Sequence, residues 1–392
     1  MRILVAPDSF KGSLDAPAAA QAIARGVRRA CPACEIEEMP IADGGEGTLD
    51  VLIRSTRGSY QPVEVRGPLG EPVSARFGIL GDGKTGVIEM AQASGLTLVP
   101  LQLRNPLRTS SFGTGQLITA ALDRGLRRLI ITIGGSATVD GGLGLLAALG
   151  ARPLDRQGKE LDPIGGSLLQ LADIDIAGLD ARLRQCEVIV ASDVTNPLVG
   201  EQGAAAVFGP QKGATPQMVT DLDRGLERLG EITQQRTGVS VLDLPGGGAA
   251  GGLGAALVAY LGGKLTSGID VVLDACQVER RLPGVSLIIT GEGRIDAQTA
   301  AGKAPAGIAQ RGRRHGCRTI ALAGSLGAGY AAVYSQGIDG VFPILAAPLS
   351  LDESMERAAA LLEDAAARVM HLYLQIAGQD ASRTPEKMTN PE

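Results

Sequence analysis

Residues 1–48 read MRILVAPDSFKGSLDAPAAAQAIARGVRRACPACEIEEMPIADGGEGT, and their rhythm decides the fold class. Residues 3–6 form a short apolar run ending at Pro7 and Asp8, which predicts a buried strand. Asp15 with Pro17 behind it predicts a helix start, with Asp15 as the cap and the helix running to Ala30. Residues 36–39 supply a second strand, and the next helix begins near Thr48. A β-α-β-α order of this kind predicts a parallel sheet with helices on its faces.

The rhythm breaks after Tyr60. Residues 61–90 alternate in short stretches joined by glycine turns, which predicts an antiparallel meander. Within it, GILGDGKT (78–85) satisfies the pattern G-x-x-x-x-G-K-[ST], yet another strand follows it instead of a helix. It therefore reads as a hairpin turn. Likewise GLGLLA (142–147) reads as close helix packing, not as a dinucleotide fingerprint. Helices are expected over 113–124 and 142–149, strands over 129–133 and 188–191, and a long helix from Pro216 to Arg236 with Thr215 as cap. After Pro283 the first rhythm returns, with strands over 287–290, 319–322 and 341–344 and helices over 305–315, 328–335 and 351–377. The expected fold is α/β: a Rossmann-like, doubly wound parallel-sheet domain built from both chain ends (1–60 and 285–378). A second α/β domain of mixed sheet is inserted at 61–284, and a flexible tail is expected over 379–392.

Composition narrows the partners. The chain has 392 residues, enough for two or three domains, and its 44% hydrophobic and 20% charged content is that of an ordinary folded protein. Aromatic residues make up 3%, with no Trp, so base stacking on single-stranded nucleic acid is a poor fit. A formal net charge of -5 gives no electrostatic basis for binding DNA or an anionic membrane. No run approaches the length of a membrane span. Cys31 and Cys34 share a C-x-x-C spacing with no second pair or nearby His to complete a zinc site, and read as ordinary packing. The expectation is a reduced, cytoplasmic protein, with a homodimer left open.

Five glycine-rich segments carry the chemistry: APDSFKGS (6–13), ADGGEGT (42–48), GGSATVDGG (134–142), FGPQKGA (208–214) and TGEGRIDAQT (290–299). Glycine lets backbone N–H groups face an anion, and a helix opening there adds its dipole. Lys11 lies between a strand end and a helix start, among Asp8, Ser9, Gly12 and Ser13. Asp43 and Glu46 end the next βα unit. Glu292, Arg294, Asp296 and Lys303 follow a strand of the same expected sheet, Asp193 follows an inserted-domain strand, and Lys212 sits between two glycines. The two histidines, His315 and His371, lie outside all these segments. Carboxylate, lysine and arginine chemistry remains, the set that phosphoryl transfer uses.

Taken together with SDVTNPL (192–198), these segments resemble the bacterial glycerate kinases of class I, in the family's order over about 1–376. The resemblance implies ATP-dependent, Mg²⁺-assisted phosphorylation of D-glycerate, generally to 2-phosphoglycerate, and a Rossmann-like domain with an inserted α/β domain. The family's motif residues map to Asp8, Lys11, Asp43, Glu46, Asp193, Arg294 and Asp296. The expected working arrangement is an interdomain cleft. Lys11 and the Ser9–Gly12–Ser13 turn hold phosphate oxygens with Lys212 or Lys303 assisting, and Asp43, Glu46 or Asp296 hold Mg²⁺. Arg294 grips the substrate carboxylate, Asp8 and Ser136 also meet substrate, and Asp193 orients the attacking hydroxyl. Arg294 and Asp296 thus count with Lys11 and Asp193 as the catalytic set. Two alternatives stay open: a kinase of another small hydroxy acid or of the 3-hydroxyl of glycerate, and a non-catalytic sensor that binds sugar acids or nucleotides.

Overall fold

The structure, a computed structural model, describes residues 1–382. Its strands are β1 (Arg2–Val5), β2 (Glu35–Glu38), β3 (Ser59–Arg66), β4 (Pro72–Ile79), β5 (Thr85–Glu89), β6 (Arg128–Thr132), β7 (Arg152–Leu154), β8 (Asp173–Asp175), β9 (Glu187–Ala191), β10 (Lys264–Thr266), β11 (Val285–Ile295), β12 (Arg318–Leu326) and β13 (Gly340–Pro343). The chain divides into two compact units, one made of 1–42 and 277–392, the other of 43–276.

In the first unit all five strands are parallel, in the order β13-β12-β11-β1-β2. The order reverses between β1 and β11, which is the point where doubly wound sheets open a crevice beyond the strand ends. Asp15 caps the helix Ala16–Ala30 by accepting from Ala18 N, as its sequence predicts. That helix packs on the helix Ala358–Ser382, and Ile3, Val5, Ile23, Val27, Leu287, Ile289, Leu362 and Met370 close one core between helices and sheet.

The second unit has a six-stranded sheet, β10-β9-β6-β5-β4-β3, and a separate β7-β8 pair. From β5 to β10 the strands are parallel, while β3, β4 and β5 form the expected antiparallel meander. The GILGDGKT segment is a hairpin between β4 and β5. Asp82 accepts from the backbone N–H groups of Lys84 and Thr85, so those donors are not offered to a phosphate.

Several expectations fall differently. Strand β11 continues to Ile295 instead of stopping at Thr290, because β12 runs beside it and pairs Arg294 with Ser325 and Ile295 with Leu326. Gly291 permits this: a Cβ there would sit 2.2 Å from Leu322 O. Residues 330–336 form a 3-10 turn, not an α-helix, and the last helix is two, Leu351–Glu356 and Ala358–Ser382. The units divide at 42/43, ahead of Tyr60. The intervening helix Thr48–Thr56 packs on β4 and β5, and Glu89 caps its first turn. They divide again at 276/277, since Arg281 pairs with Glu37 at 2.9 Å and Arg2 reaches Pro283 O. Cys31 and Cys34 are joined as a disulfide at the end of the first helix, in place of the reduced packing pair expected there. Of the expected tail, 379–382 continue the last helix, and 383–392 lie outside the described residues. Among the described residues, no helix is long and apolar enough to cross a membrane.

Candidate active site

The first unit builds its functional edge beyond the end of β1, where the following loop runs beside the outer half of β11. Asp8 N donates to Gly291 O at 2.8 Å, which carries the loop after β1 along the outer half of β11. The backbones meet closely: a Cβ built on Gly293 would lie 3.4 Å from Lys11 N. Phe10 is buried and anchors the loop, whereas Lys11 is exposed. Gly12 takes a left-handed φ of 82°, and Ser13 Oγ donates to Phe10 O at 2.9 Å, so this hydroxyl closes the turn. Asp8 is buried and accepts from Ser9 N at 2.6 Å.

Alternation along β11 puts Glu292 and Arg294 on one face. Glu292 is buried and accepts from Thr299 Oγ1 at 2.7 Å. Arg294 has 66% of its side chain exposed, with Nε 3.4 Å from Asp296 Oδ2. Asp296 also caps the short helix Ala297–Ala300 through Gln298 N, so both its oxygens have partners. Lys303 takes the N-cap position of the helix Ala304–Arg314.

The second unit gathers its loops at the carboxyl ends of β5, β6, β9 and β10. The ADGGEG loop lies across this edge on glycine contacts. A Cβ on Gly268, just after β10, would sit 1.9 Å from Asp43 O, and one on Gly134, just after β6, 2.8 Å from the Gly45 Cα. Asp193 leaves β9 and accepts from Gly268 N at 2.9 Å. Burial raises its pKa above the ordinary carboxylate value; the Gly268 and Ser267 hydrogen bonds oppose this, while the charges of Asp43 and Asp270 push it further up. Asp43, Asp193 and Asp270 therefore share one acidic neighbourhood. Asp43 also accepts from Gly45 N at 3.2 Å, and Glu46 from Thr97 Oγ1 at 3.3 Å.

The GGSATVDGG loop is fixed from several sides. Ser136 bridges to Gly95, with Leu96 N donating to Gly135 O and Ala137 N to Ser94 O. Asp140, fully buried, accepts from Ser111 N and Oγ at 2.7 Å each and from the amides of Gly142 and Gly144. Burial still raises its pKa. Lys212 is not extended toward solvent as a phosphate-gripping lysine would be. It is 1% exposed, and Nζ donates to Ser136 Oγ and Thr138 O at 2.7 Å each.

Asp43, Asp193 and Ser136, expected as site residues, thus lie along one strand edge of the second unit. Lys11, Asp8, Arg294 and Asp296 gather at the switch point of the first. Asp140, Asp270 and Glu89 escaped the sequence reading. Asp140 was in plain view inside GGSATVDGG, and Asp270 follows a strand, β10, of only three residues. Glu89 ends β5, a strand buried throughout, and is itself only 1% exposed, a carboxylate placed inside the fold. Among the described residues, no group of three or more His, Cys, Asp or Glu is arranged to hold a metal on its own. The hard oxygens of Asp43 and its neighbours nonetheless suit Mg²⁺, which keeps waters and typically uses one or two carboxylates plus substrate phosphates.

A doubly wound sheet and a second α/β unit, each with charged loops at the carboxyl edge of its strands, define a two-unit α/β protein of the ligand-binding type. The chain belongs to the glycerate kinase family, which it matches over residues 3–374. It is 51% identical to a glycerate kinase of Bacillus subtilis (strain 168), over 93% of this chain and 95% of the relative. It is 50% identical to the glycerate 2-kinase of Escherichia coli (strain K12), over 91% and 94%. A crystal structure of a protein described as glycerate kinase 2, from Salmonella typhimurium LT2, superposes with a TM-score of 0.86 at 48% identity, covering 97% of this chain and 99% of that one.

Proposed function

We propose that the protein phosphorylates D-glycerate with ATP, forming 2-phospho-D-glycerate. The family match carries the activity, and the E. coli relative, a glycerate 2-kinase, supports the position. The observation that carries the mechanism is Asp193, a carboxylate whose pKa is raised at a strand end beside two other acids. A carboxylate in that condition is suited to accept the proton of an attacking hydroxyl.

Lys11, with the amides around Gly12, meets phosphate oxygens; it is exposed, unlike Lys212, and Lys303 assists from its helix start. Arg294 pairs with the glycerate carboxylate through the guanidinium edges that Asp296 leaves open. Asp8 and Ser136 complete the contacts to substrate. Asp43 holds Mg²⁺ with Glu46 assisting, while Asp296, already capping a helix, orients Arg294. When bound, Mg²⁺ neutralises charge on the transferring phosphoryl group.

A coupled ADP-release assay with D-glycerate tests the activity, and ³¹P and ¹H NMR of the product tests the position. Release of ADP without glycerate dependence would favour a different acceptor, and a 3-phosphate product would overturn the regiochemistry. No turnover with any hydroxy acid would leave a sensor.

A further inference from the structure

Lys212 is an expensive residue to bury. An ammonium loses its hydration in a protein interior, and an apolar side chain of the same length would pack there without that cost. The fold nevertheless encloses it, behind the loop 134–142, with two acceptors for its N–H groups. Of the three side chains in this cluster, Lys212 is 1% exposed, Thr138 0% and Ser136 7%, so Ser136 is the member nearest solvent. The Thr138 hydroxyl is also buried with no hydrogen-bond partner among the described residues, so the loop is not saturated internally.

We propose that Lys212 is a positioning residue for the acid substrate: it donates to Ser136 Oγ from the buried side and so turns the Ser136 proton outward, making Ser136 a fixed donor to a carboxylate oxygen of glycerate. A serine hydroxyl has one proton and two lone pairs. With one lone pair taken from behind by Lys212, the O–H must point away from Nζ. The backbone of Ser136 cannot turn to undo this, because its neighbours are bonded on both sides to 94–96. The inference rests on the glycerate kinase reading and on Ser136 meeting the acid.

Among the described residues, Asp140 is the one charged group that acts electrostatically on the amine. Arg104 is a cation in the surrounding loops, and it turns its guanidinium to Val99 O and Gln211 O. Burial lowers the Lys212 pKa to about 7, with Asp140 acting in the opposite direction. Below that pH the ammonium polarises Ser136 strongly; above it, the neutral amine keeps two N–H donors but loses the charge. The KM for D-glycerate should therefore rise as pH passes upward through about 7.

The test is steady-state kinetics from pH 6 to 9, varying D-glycerate and Mg-ATP separately, for wild type, S136A, K212M and the double variant. Each single variant is expected to raise the KM for glycerate about tenfold or more, the scale of a hydrogen bond to a charged group, with the KM for ATP nearly unchanged. The double variant should be no worse than S136A, since both remove one interaction. The inflection near pH 7 should vanish in S136A as well as in K212M. If K212M does not fold, S136A carries the same readout, because the titration reaches substrate only through Ser136. An inflection retained in S136A, or additive effects in the double variant, would overturn the inference while leaving the kinase reading intact. A wild type inactive on glycerate would overturn both.

Discussion

Asp193 is held in tension between burial, which favours its neutral form, and the amide of Gly268, which favours its anion. The sign of its effect on stability follows. Its folded pKa is raised, so the folded state holds the proton more tightly, and the cost of the buried anion is fully present above that pKa. It disappears as pH falls below the ordinary value of 3.8. D193N should therefore raise Tm near pH 8 relative to wild type, and the gain should shrink toward zero in acid. The same variant should lower kcat by about 10²–10⁴, the range for a lost general base, and remove the acid limb of the rate profile. Thermal melts and kcat profiles check both; a D193N enzyme with near-normal kcat removes Asp193 from the chemistry. Lys11 poses the complementary case. It is exposed on a turn whose closure depends on Phe10 and Ser13, so K11A should leave Tm unchanged. Losing a cation at a transferring phosphate should cut kcat/KM by about 10²–10³, as removal of one charge-stabilising donor does elsewhere. Normal kcat/KM in K11A would exclude the loop from phosphate binding.

Elements place these residues, and some of that placement is carried by groups that do no chemistry. Glu89, at the end of β5, accepts from Gly47 N at 3.2 Å and Leu49 N at 2.9 Å, tying the ADGGEG loop to the sheet. E89A would leave two amides of a helix start without their acceptor, at about 1–3 kcal/mol for a buried unsatisfied group. Urea unfolding should register that loss, and the Mg²⁺ concentration for half-maximal rate should rise, since Asp43 and Glu46 ride on the loop. An unchanged Mg²⁺ requirement would detach the loop from the metal. How far such elements could be read in advance depended on whether a signal was local. Asp15 and Thr215 announced helix starts because a cap is written in adjacent residues, and both cap as expected. The hairpin in GILGDGKT was legible for the same reason. What was not legible was set across the sheet: β11 extends through a glycine-rich stretch only because β12 lies beside it. Strands β7, β8 and β10 have three residues each, too short for any alternation to show. The direction of Lys212 was hidden likewise, because nothing near FGPQKGA reveals that its acceptors lie in GGSATVDGG.

At the scale of the molecule, the two units differ in how their cores are assembled. The second is one continuous segment, 43–276, with its own mixed sheet and a core running through Phe77, Ile88, Ile131, Val190, Leu226 and Leu257. The first is stitched from both chain ends. Strand β1 pairs with β2 on one side and with β11 on the other, and Ile3 and Val5 share a core with Leu287 and Ile289. A segment holding all the partners of its own core can fold alone, whereas one that borrows half its sheet from a distant stretch cannot. The fragment 43–276 should therefore give a cooperative urea transition by circular dichroism, with dispersed amide resonances, and no phosphoryl transfer, since it lacks Lys11 and Arg294. The fragment 1–42 should remain unfolded, because β1 and β2 without β11 leave one edge of β1 unpaired and its apolar face uncovered. Adding 277–392 in trans should restore helical signal to 1–42 in proportion to concentration. If 43–276 proved unfolded while the whole chain melts in a single transition, the two cores would be one cooperative unit, and the boundary at Ala42 and Asp43 would carry no energetic meaning.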